Sequence, residues 1–185
     1  MLLSNPTHFI QAAKRLVESD RRSEIRLRAN GGNSILIVCD PMMEMEYIKQ
    51  FNGLLTEDQY SIIDLNICLT EFVTKHQSEL PELFDQLQSA THEIFKAPAG
   101  EQSEDLFKNI IIQIQATFNN NKVPVLINCG ALYGTGIEHI HIMENDAIMG
   151  AALPLIVLYP ATREGDKLMF LGKRPSSKYR CMIVE

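Results

Sequence analysis

The segment 123–136, VPVLINCGALYGTG, constrains the fold most. Val123, Val125, Leu126 and Ile127 form an apolar, β-branched run that does not alternate with polar residues, the pattern of a strand covered on both faces in a parallel sheet. The run leads into a turn punctuated by Gly130, Gly134 and Gly136. Thr135 then has the chemistry of a helix N-cap, and Glu138, three residues on, has the reach to return to its backbone N–H in a capping box. Residues 123–128 are therefore expected to be the central strand. The turn after them is the expected edge of a working surface, because ligands and partners of open α/β sheets gather outside the carboxyl ends of the strands.

Three other runs have the same character: SILIVC at 34–39, ended by Asp40-Pro41; SIIDL at 61–65; and LPLIVLY at 153–159, which Pro160 is expected to stop. Helical patterns lie before and between them. Phe9, Ile10, Ala13, Leu16 and Val17 share one face of a first helix, and the charged residues 19–28 lead out of it. Residues 42–55 form a helix with Met45, Ile48, Phe51 and Leu55 inward. Asn66 caps a helix carrying Ile67, Leu69, Phe72 and Val73. Residues 80–96 read as one helix, Ser103 caps the next, and 136–150 reads as another. In the tail, 167–171 and 179–184 are short strands of an antiparallel ribbon. The whole predicts a three-layer α/β fold, Rossmann-like or P-loop-like, with a mostly parallel sheet flanked by helices and an antiparallel C-terminal edge ribbon. Connection rules allow the first and third strands to be neighbours.

With 185 residues, 45% of them apolar, and no linker-like tract, one domain spanning 1–185 is expected. The opening MLLSNP lacks the long apolar core of a signal peptide, and the apolar stretch 147–159 is too short to span a bilayer, so a cytoplasmic protein is expected. Cys39, Cys68, Cys129 and Cys181 form no CxxC pair and read as buried small hydrophobes in a reducing compartment. The net charge of −6 is uneven: 1–28 carries +3, 162–180 carries +4, and 29–161 carries −12. A duplex-binding domain is basic overall, so direct nucleic-acid binding is not expected.

Searches for chemistry return fragments. The glycines of 130–136 sit where a phosphate loop would, but Gly130 and Gly136 are six apart rather than the five of GxxxxGK[ST], Ile137 stands in place of the lysine, and GxGxxG is absent. Glu138-His139-Ile140-His141 offers histidines two apart, which diverge on a helix, so no metal is assigned. Asp40 lies at the carboxyl end of a buried strand, a position where related folds keep working carboxylates. Tyr133, Tyr159 and Tyr179 each fall at a strand end or loop, suited to lining a crevice or anchoring an interface. No catalytic residue and no cofactor is assigned.

Four segments in order carry a resemblance: Gly130-Ala131-Leu132-Tyr133; Pro154 through Pro160; Leu168-Met169-Phe170-Leu171-Gly172; and Tyr179-Arg180. Together they resemble the BrxB family of BREX (bacteriophage exclusion) defence loci, with its "ALYPF-R" segment, "P-V-LYPG" strand, "L-F-G" step and closing "YR". The resemblance covers residues 123–185 and, more loosely, Asp40-Pro41. Gly134-Thr135-Gly136 replaces the family's proline, phenylalanine and arginine, and Ala161 replaces a glycine, so the arginine has no counterpart here. The resemblance implies participation in phage defence beside a PglZ-like protein, a methyltransferase and a large ATPase, and with no complete phosphate, metal or nucleophile signature in the chain a non-catalytic adaptor is expected. The alternative is a small nucleotide-binding sensor or enzyme. Either would use a crevice formed by Asp40, Gly130, Tyr133, Gly136, Tyr159, Tyr179 and Arg180.

Overall fold

The computed structural model describes residues 5–19, 22–101 and 103–184; residues 1–4, on which the signal-peptide reading rests, lie outside it. Two helices, α1 (Pro6–Glu18) and α2 (Arg22–Arg28), precede β1 (Ser34–Cys39). Then come α3 (Glu44–Leu54), β2 (Tyr60–Asp64), α4 (Leu65–Lys75), α5 (Leu80–Gln86) and α6 (Leu106–Asn119). The chain continues through β3 (Val123–Ile127), α7 (His139–Met143), α8 (Asp146–Met149), β4 (Leu155–Glu164), β5 (Lys167–Phe170), β6 (Arg174–Pro175) and β7 (Met182–Val184).

The expected α/β fold is present: the main sheet runs β2-β3-β4-β1-β7, every neighbouring pair in it parallel. Its middle strand is β4 rather than β3, and β4 separates β1 from β3, so the first and third strands are not neighbours. Side-chain alternation along the strands makes two apolar layers. Ile35, Ile37, Val125 and Ile156 face α1 and α3 through Ile10, Ala13, Tyr47 and Phe51. Leu36, Leu126, Val157 and Tyr159 face α4 and α6 through Leu65, Phe72, Leu106 and Ile110.

Several boundaries differ from the expectation, each for a local reason. Residues 22–28 are helical, with Ile25 buried. The helix α3 begins at Glu44 rather than 42, which turns Met45 to solvent and Tyr47 inward. Asp64, at the end of β2, caps α4 by accepting from the Asn66 N–H, the role expected of Asn66; Ile67 and Val73 are exposed. The expected helix 80–96 is broken, into α5 and the single 3-10 turn Thr91–Ile94.

Asp105, not Ser103, caps α6. Its carboxylate accepts from Lys108 N–H at 2.7 Å and Ala97 N–H at 2.9 Å while only 2% exposed. Asp105→Ala leaves both donors unpaired and is expected to cost about 2–3 kcal/mol, read as a lower urea midpoint at unchanged slope.

Pro160 does not stop β4. Pairing with β3 ends at Val157, the Pro160 carbonyl accepts from Leu171 N–H at 2.9 Å, and β4 runs on to pair antiparallel with β5, which pairs with β6. The antiparallel edge is thus built by β4, β5 and β6, whereas the final strand β7 lies parallel to β1. No helix among the described residues is long and apolar enough to cross a membrane.

Candidate functional site

After β3 the backbone enters the left-handed region at Asn128, φ 56°, and makes the 3-10 turn Cys129–Leu132. Thr135 closes the next turn: its hydroxyl donates to Leu132 O at 2.8 Å and accepts from Ile137 N–H at 3.2 Å. Glu138 does not reach back to Thr135. It is itself the N-cap of α7, and its N–H donates to His141 Nδ1 at 3.1 Å, so the capping box begins three residues later than expected. The expected helix 136–150 is two short pieces, α7 and α8, with little aligned backbone dipole to hold an anion. Gly136 has φ +77°, and a Cβ there would lie 2.6 Å from the Cβ of His92. Gly130 packs beside Leu171. These two glycines admit protein neighbours.

Tyr159 of β4 organises the next layer. Its buried ring stacks on Phe170 at 5.0 Å and meets His139 and Tyr179 edge-on at 5.1 and 5.7 Å. The Tyr159 hydroxyl is within hydrogen-bond distance of Ser176 Oγ, 2.7 Å, and of the Tyr179 hydroxyl, 2.9 Å. Tyr133, 55% exposed, lies 6.5 Å from Phe170. The three tyrosines therefore do line one cavity, of about 30 Å³, room for little more than a water. Arg174 closes its mouth by pairing with Glu138, which also accepts from Ser177 Oγ.

His139 is the group in this cluster that the sequence did not single out as a buried residue. It is 4% exposed, its ring is hydrogen-bonded to the Cys129 backbone, and its Nε2 is buried without a partner. Burial pulls its pKa down to about 4, so the imidazole is neutral near pH 7.

The other candidates lie elsewhere. Asp40 accepts from Met42 N–H at 2.8 Å, capping the 3-10 turn Pro41–Met43. Arg180 pairs with Glu144 at 2.9 Å, while its backbone presses on Gly32. Neither lines the tyrosine cavity. Sequence reasoning missed the neighbours of Asp40 at the strand ends. Asp64 accepts from Asn66 N–H and from Asn128 Nδ2 at 2.8 Å. Glu44 has its pKa raised, first by burial and then by the Asp64 charge, against the pull of the Asn128 backbone; its Oε1 is buried without a partner. The signal for Asp64 was its position directly between a buried strand and a helix.

All four cysteines are free and buried, and burial raises every thiol, that of Cys181 to about 12. Among the described residues, no three His, Cys, Asp or Glu side chains gather closely enough to hold a metal ion. No family model, no curated protein and no solved structure matches the chain.

Proposed function

We propose that this chain is a non-catalytic, cytoplasmic docking component of a BREX-type phage-defence system, seating a larger protein such as the PglZ-like one. The observation that carries the docking reading is the rim at the strand ends. Met42, 90% exposed, stands with Met45, Ile67 and Tyr133 as solvent-facing apolar side chains, beside carboxylates already engaged by backbone N–H groups. Methionines at such a rim suit a protein partner, because their flexible thioethers adapt to its surface. The BREX assignment is supported by the four-segment resemblance, whose Tyr133, Tyr159, Phe170 and Tyr179 belong to one packed cluster.

The test is co-expression of the tagged chain with the PglZ-like protein, methyltransferase and large ATPase of one locus. The expected result is co-purification with at least one of them, reduced tenfold or more by Met42→Asp with Met45→Asp. These exposed substitutions should leave the melting temperature nearly unchanged. Recovery of none of the three overturns the proposal.

Glu44 favours a second reading, a small nucleotide sensor or enzyme, since a carboxyl with a raised pKa at a strand end is the kind of group catalysis recruits. Thermal-shift titration with ATP, GTP, cyclic nucleotides and Mg²⁺ separates the two. A stabilisation that disappears in Glu44→Gln would replace the docking reading with this one.

A further inference from the structure

The helical excursion between β2 and β3 holds a groove of about 400 Å³, bounded by α4, α5, the turn Thr91–Ile94 and the approach to α6. Its floor is apolar: Phe72, Leu83, Leu87 and Ile94. Its walls carry five carboxylates, on Glu79, Glu93, Glu101, Glu104 and Asp105, against two lysines at the rim, Lys75 and Lys108, the latter donating to the Glu101 and Ser103 carbonyls at 2.7 Å. Three of the five are engaged within the chain. Glu104 binds Lys75 at 2.6 Å, Glu79 lies 3.3 Å from His76 Nδ1, and Asp105 caps α6. Glu93 and Glu101 have no ion-pair partner among the described residues.

The groove is also under-covered. Along α5 only Leu80 is buried; Leu83 and Leu87 are half-covered and Phe84 is exposed. A helix of seven residues has little stability of its own and depends on packing for its order. At the same wall the Nε2 of His76 is buried without a partner.

We infer that this groove is the seat of a basic, apolar segment of a partner protein, whose aliphatic side chains cover Phe72, Leu83 and Leu87 and whose Lys or Arg reaches Glu93 and Glu101. Charge complementarity selects this occupant: the groove lies within the 29–161 segment of charge −12, which repels nucleic acid and anionic lipid alike. The inference rests on the docking reading above and adds where the partner sits and which chemistry it presents. It gives an adaptor a second surface beside the methionine rim.

The test uses the full chain, tagged and co-expressed with the same three proteins. Glu93→Lys with Glu101→Lys is expected to lower partner recovery at least tenfold. Glu57→Lys with Asp58→Lys, the same charge change in the exposed turn before β2, should leave it within twofold. A carbodiimide, which joins carboxylates to amines in contact, should link Glu93 or Glu101 to a partner lysine. If the reversal does not fold, Glu93→Gln with Glu101→Gln repeats the test at constant shape. Equal losses in both charge-reversed pairs, no loss in either, or a link only to a second copy of this chain overturns the inference while the docking reading stands. Failure of the unaltered chain to recover any partner removes both.

Discussion

Gly32→Ala is expected to lower the melting temperature by roughly 10 °C. A Cβ at Gly32 would sit 1.7 Å from the Arg180 carbonyl oxygen and 2.5 Å from its carbonyl carbon. The obstacle is backbone, so no rotamer change relieves it. Either the turn before β1 or the lead into β7 must move, and both are fixed by the β1–β7 pairing of Ile35 with Met182. Overpacking of this kind costs about 3 kcal/mol or more, and each kcal/mol moves the midpoint of a chain this size by about 2–4 °C. Gly53→Ala is the control. Gly53 lies in α3 with no atom within 4 Å of the added methyl, so the change is expected to stabilise by about 0.5–1 kcal/mol through helix propensity. Calorimetric scans of the three proteins decide it, and a Gly32→Ala midpoint within 2 °C of the parent would refute the contact.

The second large effect depends on pH. His139 is held neutral in the fold, with its pKa lowered from 6.5 to about 4 by burial. The unfolded chain binds this proton more readily, so the contribution is complete above about pH 6.5 and is lost as pH falls toward 4. A shift of that size corresponds to about 3 kcal/mol. His141 acts in the same direction, its pKa lowered by burial and then by the Lys96 charge. Glu44 acts in the opposite direction: its raised pKa favours the fold at low pH and the benefit fades as pH rises. The measurement is therefore a difference between the parent and His139→Gln at each pH, which cancels the other two. The parent should lose stability steeply between pH 6.5 and 4, and His139→Gln should show a much flatter slope. Parallel curves would show that His139 does not titrate as a buried neutral base.

The strand framework was legible because burial on both faces writes itself into composition: SILIVC and VPVLI have no polar alternation, and both are strands, the second ending one residue before the expected Asn128. What escaped depends on neighbours distant in sequence. Pro160 looks like a terminator until one sees that β3 has already ended beside it and that β5 supplies the next partner. Met182–Val184 is too short to announce its direction, and only the open side of β1 makes it parallel. Leu87, Ile94 and Phe95 keep helical spacing across 88–91, yet the chain turns there, and that turn shapes the acidic groove. Of the candidate site, Tyr133, Tyr159 and Tyr179 converge because β4 and the hairpin beyond it carry two of them to one place. Asp40 and Arg180, expected in the same crevice, do not line that cavity. The buried state of His139 was invisible because its surroundings come from β4 and β5, well downstream.

The position of β1 sets the order of events during synthesis. Both its neighbours are encoded late: β4 meets it at Ser34–Leu155, about 120 residues on, and β7 at Ile35–Met182. At a ribosomal pace of about 5–20 residues per second, SILIVC waits on the order of ten seconds, an apolar strand with two open edges. Among the described strands, the one pairing that can form in that interval is β2 with β3, at the far side of the sheet. The sheet closes only when β4 slots between the β2–β3 pair and the lone β1, and β7 is added to the other edge of β1 last. Until then, α1 and α3 are the cover at hand for β1, and a nascent chain stalled before residue 155 presents a strand suited to aggregation or to capture by a chaperone.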